Sequence, residues 1–229
     1  MSNEILLISS LIVIYGSVLL AHKLLGKTGL YAFTVFATIL ANIEVLILVD
    51  AFGLKMTLGN ILFASTFLVT DILSENYGKK AANKAVTIGI GTSILFILVS
   101  QSWLLYSPSP EDWVSPSIST IFATTPRLLM SSLSVFAIAQ FLDVNLYHLL
   151  WKFTIKKFGK HESMLYIRNN MSTLVSQFVN AILFNVFAFG GVYDITTLMR
   201  IILSTYIISI CTSLADTPVV YLSRKSIVK

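Results

Sequence analysis

Charged residues are scarce in this sequence. Only 12% of its 229 residues are Asp, Glu, Lys or Arg, and 55% are hydrophobic, whereas a soluble domain carries about a quarter charged residues. So few charges cannot cover a water-facing surface of ordinary size. The mean hydropathy of +0.82 comes from long apolar stretches, and a stretch of about 18 residues or more is long enough to cross a bilayer. The sequence therefore predicts an integral membrane protein whose apolar surface faces lipid.

Cysteines and catalytic motifs are also lacking. The single cysteine, Cys211, lies in an apolar run, which excludes an intramolecular disulfide and a cysteine metal cluster. There is no HExxH, no GxSxG and no Cys/His cluster with zinc spacing. The nearest approach to a phosphate-binding loop, residues 21–28, has Ala21 in place of the first glycine. We expect no enzyme, with neither catalytic residues nor a metal or cofactor, and any coupling to ATP would need another subunit.

Hydropathy predicts an all-α, polytopic transmembrane bundle that forms one domain over residues 1–229. The first apolar segment has no basic start and no small-residue cleavage site, so we expect a retained helix. The number of spans falls to six if this segment lies in the interface instead of crossing. The seven predicted spans cover residues 5–21, 30–49, 58–74, 85–106, 126–150, 172–189 and 200–222.

Lysine and arginine are distributed asymmetrically among the connectors. Cytoplasmic loops of membrane proteins are enriched in these two residues. Alternate connectors hold 13 of the 16 basic residues, and only Lys55, Arg127 and Arg200 fall on the other side. With seven spans, this predicts an amino terminus outside and a carboxyl terminus in the cytoplasm. We expect the basic loops to meet anionic lipid headgroups and expect no nucleic-acid binding.

The same three basic residues precede three aspartates by sixteen positions each: Asp71, Asp143 and Asp216. Sixteen residues of helix span about 24 Å, so each pair would link the two interfaces. The pairs recur after 72 and 73 residues. This regularity suggests three in-out-in hairpins, although any helix of this length tolerates charges near its ends.

Polar side chains within the spans are the main functional signal. An aspartate at the centre of a span costs about 2.5 to 3.5 kcal/mol on insertion scales, so it usually faces a cavity or a partner. Asp71 and Glu75 share a helix face, as do Gln177 and Asn180. The other candidates are Asn42, Glu44, Gln140, Asp143, Asn145, Ser176 and Asp216.

Two interpretations of these side chains are open. Amides and carboxylates near aromatic rings suit a planar heterocycle, which takes hydrogen bonds at its edge and stacks on its faces. Alternatively, the amides join helices, and the aspartates pair with Lys79, Lys152 or Arg224 near the inner interface.

Five segments together resemble one transporter family. They are Ala41-Asn-Ile-Glu44, Thr70-Asp-Ile-Leu-Ser-Glu-Asn-Tyr-Gly-Lys-Lys80, Ala139-Gln-Phe-Leu-Asp-Val-Asn145, Ser176-Gln-Phe-Val-Asn180 and Asp216-Thr-Pro218. In order and spacing they are similar to the queuosine precursor transporters, also called the vitamin-uptake-like family. The resemblance runs from the second span to the end of the chain.

The resemblance implies a bacterial or archaeal inner-membrane protein that imports 7-deazaguanine precursors of queuosine for tRNA modification. These are 7-cyano-7-deazaguanine, its aminomethyl form or queuine. The substrate-binding residues that it implies are Asn42, Asp71, Glu75, Gln140, Asp143, Gln177, Asn180 and Asp216. Two departures bear on substrate choice and coupling: Asn180 stands where some members carry an acid, and residues 205–215 lack an interior basic residue that some members have.

Three functions are therefore to be compared. The first is a stand-alone uptake carrier, with protons on Asp71 or Asp143. The second is a substrate-binding subunit that works with the ATPases of an energy-coupling system. The third is a structural factor whose polar residues only join helices. Two kinds of protein partner are left open: a second copy of this chain, in a homo-oligomer, or ATPase subunits.

Overall fold

The computed structural model describes residues 2–123, 126–158 and 164–225. It is 84% helical, with seven helices, and it confirms the predicted helical membrane bundle. The elements are α1 (Asn3–Glu44), β1 (Leu48–Ala51), β2 (Leu54–Thr57), α2 (Asn60–Tyr77), α3 (Lys79–Trp103), α4 (Ser115–Ala123), α5 (Pro126–Phe158), α6 (Leu165–Phe189) and α7 (Ile195–Lys225).

Helix α1 is two antiparallel halves joined at Gly26. The backbone of Gly26 has a φ of 57°, a conformation that glycine adopts without steric cost. A straight helix of 42 residues would be about 63 Å long. Yet Asn3, at its beginning, donates to the backbone carbonyl of Asp50, just past its end, at 2.9 Å. The chain must therefore reverse at Gly26, and each half provides one of the predicted first two spans.

A short β-hairpin follows α1, where the sequence predicted the end of the second span. The helix ends at Glu44, and Leu48 to Ala51 pair antiparallel with Leu54 to Thr57, so the predicted span 30–49 is too long at its end. Phe52 and Gly53 form the two-residue turn, with φ values of 53° and 71°, as a type I′ turn requires. Ala51 and Met56 pack against Leu7 and the start of α2, which fixes the hairpin to one end of the bundle.

The other helices also depart from the predicted boundaries. Helix α5 continues to Phe158, α6 begins at Leu165 and α7 at Ile195, so each includes polar turns beyond its apolar stretch. Hydropathy finds only the stretch that lies in hydrocarbon, whereas the backbone hydrogen bonds carry the helix further. A surface helix, α4, lies in the predicted connector 107–125.

Five helices of the described chain are long and apolar enough to cross a membrane: α1, α3, α5, α6 and α7. Helix α2 has only 18 residues and includes both Asp71 and Glu75. It packs against α1, α3, α5 and α7, and every residue from Ser65 to Ser74 is buried. The span that carries both Asp71 and Glu75 is thus the central one, where other helices shield it from lipid.

The two ends of the bundle differ in charge. The hairpin end carries Lys55, Arg127 and the start of α7, and Arg127 donates to the carbonyls of Phe187 and Gly190 at the end of α6. The basic end carries Lys79 and Arg224, along with the basic residues at the end of α5. Lys160 and Lys229, predicted at the same end, lie outside the described residues.

The sixteen-residue regularity does not describe three equivalent helices. Lys55 lies in strand β2, whereas Arg127 and Arg200 lie within α5 and α7. Helices α2, α5 and α7 do run in the same direction, from the hairpin end to the basic end. As a result their three aspartates reach the same depth.

Candidate functional site

A polar cleft opens between the helices at the hairpin end. Its outer part has a cavity volume of about 40 Å³, well below the roughly 300 to 1,000 Å³ of a typical small-molecule site, so the helices must move apart to admit a solute of that size. It adjoins a smaller inner cavity of about 10 Å³, and the two share Ala41, Phe63 and Ser132. Asn180, Phe184 and Thr205 line the outer part, and Thr38, Asn42, Thr66, Ser93 and Phe136 line the inner cavity.

The inner cavity has hydrogen-bonding capacity that the protein does not use. Asn42 donates to the carbonyl of Thr38 at 2.8 Å and to Ser93 Oγ at 3.3 Å. Its Oδ1 and the hydroxyl of Thr38 are buried without a hydrogen-bond partner. Buried polar atoms normally have a partner, so these two atoms are suited to receive donors from a ligand.

Two more of the expected binding residues lie directly behind the cleft wall. Gln140 donates to Thr66 Oγ1 at 2.6 Å, and Thr66 lines the inner cavity. Asn180 lines the outer part and donates to Gln177 Oε1 at 3.2 Å. Gln140 and Gln177 therefore do not line the cleft themselves. Each is hydrogen-bonded to a residue that does.

Below the cleft, the three aspartates converge against one face of α6. Asp71, Asp143 and Asp216 have exposed fractions of 0%, 0% and 1%. Each accepts a hydrogen bond from a different α6 residue: Thr173 to Asp71 at 3.2 Å, Ser176 to Asp143 at 3.0 Å and Asn169 to Asp216 at 2.7 Å. The three donors are four and three residues apart and so form one stripe along the helix.

Asp71 and Asp143 face each other without a donor between them. They are close enough to share a hydrogen bond, and Asp71 Oδ1 and Asp143 Oδ2 are both buried without a partner. Both ion pairs in the described chain involve Glu75, so these carboxylates have no charged partner there. Two adjacent carboxylates in a dry environment cannot both ionise without a large cost, and a shared proton lowers that cost because it leaves one charge in place of two.

Glu75 lies in a different environment, which we call the clasp: Glu75, Tyr147, Arg168 and Arg224. Arg168 donates to both Glu75 oxygens at 2.7 Å, and Tyr147 donates to Oε2 at 2.6 Å. Arg224 donates to Oε1 from Nε at 2.8 Å and from a second nitrogen. The Arg168 guanidinium is fully buried and stacks on Trp151, 4.4 Å from the ring centroid. Both oxygens of Glu75 thus bond other members of the clasp. Glu75 is not one of the residues that line the cleft.

Helix α2 sets the order of these three regions along the bundle. Asn60 lies at the cleft mouth, Thr66 in the inner cavity, Asp71 among the aspartates and Glu75 in the clasp. Asn60 and Glu75 are fifteen positions apart, which corresponds to about 22 Å of helix. A solute that passed from one end to the other would meet the amides first, then the acids and finally the clasp.

Sequence reasoning missed part of this arrangement. Asn169 and Arg168 were placed in a cytoplasmic loop because their turn is too polar to count as membrane helix. The predicted sixth span begins at residue 172, whereas α6 begins at Leu165. With the observed start, the spacing of Asn169, Thr173 and Ser176 indicates a polar face. The convergence of that face on acids from three other helices has no signal in the local sequence.

A glycine on α3 shapes the inner cavity. A methyl group at Gly89 would lie 2.6 Å from Phe136 Cζ, whereas one at Gly91 would meet nothing within 4 Å. We expect Gly89→Ala to push the buried Phe136 ring toward the cavity and to lower stability by about 1 to 3 kcal/mol. That is a drop of some degrees in the thermal midpoint of the purified protein. Gly91→Ala is the matched control: its added methyl meets nothing, so the midpoint should stay the same or rise slightly because alanine favours the helix. Equal midpoints for the two variants would show that the ring yields without cost.

This fold and site define a class of protein. Membrane-length helices surround a narrow cleft that holds amide side chains and has buried acids beneath it, which is the arrangement of a polytopic transporter. A family described as "Putative vitamin uptake transporter" matches residues 57–223. The chain is also 38% identical over 210 residues to the "Probable queuosine precursor transporter" of Bacillus subtilis (strain 168), with 92% of this chain and 90% of that protein covered. No solved structure matches the chain. The chain belongs to this family, the queuosine precursor or vitamin-uptake-like transporters.

Proposed function

We propose that the protein is a stand-alone carrier that imports 7-deazaguanine precursors of queuosine across the cell membrane. The observation that carries the proposal is the amide-lined cleft, in which Asn42 Oδ1 and the Thr38 hydroxyl are buried without partners. The Bacillus subtilis relative, a "Probable queuosine precursor transporter", supports the same class of substrate.

The chemistry of the cleft suits a deazapurine. The substrate presents ring and exocyclic N–H donors at its edge, and Asn42 Oδ1 and Thr38 Oγ1 are acceptors that lack donors. Its planar ring can stack on an aromatic side chain, and Phe63 is shared by both parts of the cleft. Asn180 supplies a further amide from the opposite wall.

The charge distribution supports import toward the basic end. Cytoplasmic segments are rich in lysine and arginine, so we place the basic end in the cytoplasm and the hairpin end outside. Both the amino terminus of α1 and the cleft mouth are then external. In this orientation the structure presents its binding groups to the side from which an imported solute arrives.

Asp71 and Asp143 are the coupling site in this proposal. They lie just below Gln140 and Thr66, and the two facing oxygens without donors suit a bound proton. A proton that binds and leaves with each cycle would tie solute movement to the proton gradient.

The first test is the thermal midpoint of the detergent-purified protein with 7-cyano-7-deazaguanine, with guanine and a water-soluble vitamin as controls. A ligand that binds only the folded state stabilises it by about 2.7 kcal/mol at a hundred times its Kd. For a chain of this size, that is a rise of about 5 to 10 °C. Asn180→Ala should remove the rise. Asn170→Ala is a control on the same helix, because Asn170 bonds Thr217 away from the cleft.

Two outcomes would count against the proposal. A rise with the vitamin alone would assign a different substrate, and no rise with any ligand would favour a purely structural role. Uptake by protein reconstituted in liposomes without ATP separates the stand-alone carrier from a subunit that needs ATPases.

A further inference from the structure

We propose that the clasp of Glu75, Tyr147, Arg168 and Arg224 is the gate that closes the transport path at the basic end. The inference rests on the proposed transport function and adds to it the residues that must separate before a solute can leave. It assigns Arg168 and Arg224 a role in the transport cycle, and it makes Glu75 a gating residue instead of a substrate ligand.

The geometry brings four helices together at one carboxylate. Glu75 lies on α2, Tyr147 on α5, Arg168 on α6 and Arg224 on α7, and all three partners donate to its two oxygens. These are also the four helices that surround the aspartates. No path between them can open at the basic end while this carboxylate holds all of its partners.

The clasp lies between the aspartates and the basic end. Glu75 is one helical turn beyond Asp71, and Arg224 is beyond Asp216 on α7. The cleft mouth is at the opposite end of α2. The structure thus has a narrow cleft at one end and a set of ion pairs that holds the helices together at the other, and alternating access requires such a difference between the two ends.

Ion pairs are suited to this role because water stabilises both separated partners. With the clasp closed, Glu75 is 5% and Arg168 0% exposed, and their mutual bonds satisfy the buried charges. When the end opens, water reaches the carboxylate and both guanidinium groups and replaces those bonds. An apolar plug would expose hydrocarbon to water at the same step.

The backbone beside the clasp can bend. Pro218 lies inside α7, six residues before Arg224, and it lacks the N–H that would donate to the carbonyl of Leu214. Gly78, three residues after Glu75, joins α2 to α3 with a φ of 79°. The α7 arm of the clasp can therefore swing about Pro218 without unfolding the helix.

The test measures access to Ser74, whose buried hydroxyl lies one residue before Glu75 and has no partner. In a Cys211→Ser background, Ser74→Cys is treated with a membrane-impermeant thiol reagent in sealed vesicles of each orientation. Ser109→Cys, in the connector at the hairpin end, identifies the vesicles that expose that end. With an intact clasp we expect slow labelling from the basic end. With Glu75→Gln we expect it to be at least tenfold faster from that end alone.

Arg224→Gln is a second gate variant, because Arg224 is 22% exposed and its loss leaves the Arg168 pair in place. It should accelerate labelling from the basic end even if Glu75→Gln does not fold. Lys79→Gln is the control, since Lys79 bonds Asn145 at the same end outside the clasp, and it should change nothing. Unchanged labelling in folded Arg224→Gln, or faster labelling from the hairpin end, would overturn the gate. The assay uses no substrate, so a wrong substrate assignment would show in uptake and leave this result intact.

Discussion

Arg168→Leu should lower the free energy of unfolding by about 3 to 5 kcal/mol. Arg168 is fully buried, donates three hydrogen bonds to Glu75 and stacks on Trp151. Removing one partner of a buried ion pair leaves the other charge without full compensation, which is the reason for the large cost. The thermal midpoint in detergent should therefore fall by about 10 °C or more.

Two further variants separate the ion pair from simple packing. Arg168→Lys keeps the charge but loses the planar fork and the stacking, so it should recover only part of the lost stability. The double variant Glu75→Leu/Arg168→Leu removes both charges and should be less destabilised than the sum of the single changes. Strict additivity would show that the pair contributes no coupling energy and that Arg168 acts through its packing alone.

The second large effect is expected at the aspartates, and it has opposite signs for stability and transport. Asp143→Asn introduces an N–H donor where Asp71 Oδ1 has none and removes one acid from a pair that lies in hydrogen-bonding reach. We expect the thermal midpoint to stay the same or to rise by a few degrees. Uptake of the deazapurine into liposomes should fall at least tenfold, because the amide cannot bind and release the coupling proton.

Asp194→Asn provides the comparison for this experiment. Asp194 is an exposed acid that caps the start of α7 through Thr197, and the single oxygen of an asparagine can still accept from the Thr197 backbone N–H, since Asn and Asp cap helices about equally well. It should leave both uptake and stability near their original values. If Asp143→Asn also kept full uptake, the aspartates would only join helices, and the structural interpretation would be favoured.

Such opposite signs are typical of functional sites, where a protein keeps an arrangement that is not its most stable one. The aspartates fit this description because three acids from α2, α5 and α7 meet at one face of α6, where neutral donors such as Asn169, Thr173 and Ser176 bond them. If these residues only joined helices, amide side chains would do so equally well, because they both donate and accept hydrogen bonds.

The sequence by itself determined the class of protein. Scarce charge and long apolar runs required a membrane bundle, and five ordered segments with their spacing identified the family, as the comparisons confirm. It also located the helices, because hydropathy depends only on neighbouring residues. The helix ends were less well placed, since polar turns such as that of Arg168 extend a helix beyond its apolar stretch.

Only the tertiary structure decided what each polar residue does. Asp71 and Glu75 are four residues apart on one helix and look alike in sequence. Yet Asp71 meets Thr173 and Asp143, whereas Glu75 meets Arg168 and Arg224. These partners lie 70 to 150 residues away along the chain. Their proximity depends on how the helices rotate and cross, which is set by packing over the whole bundle and is not encoded in local periodicity.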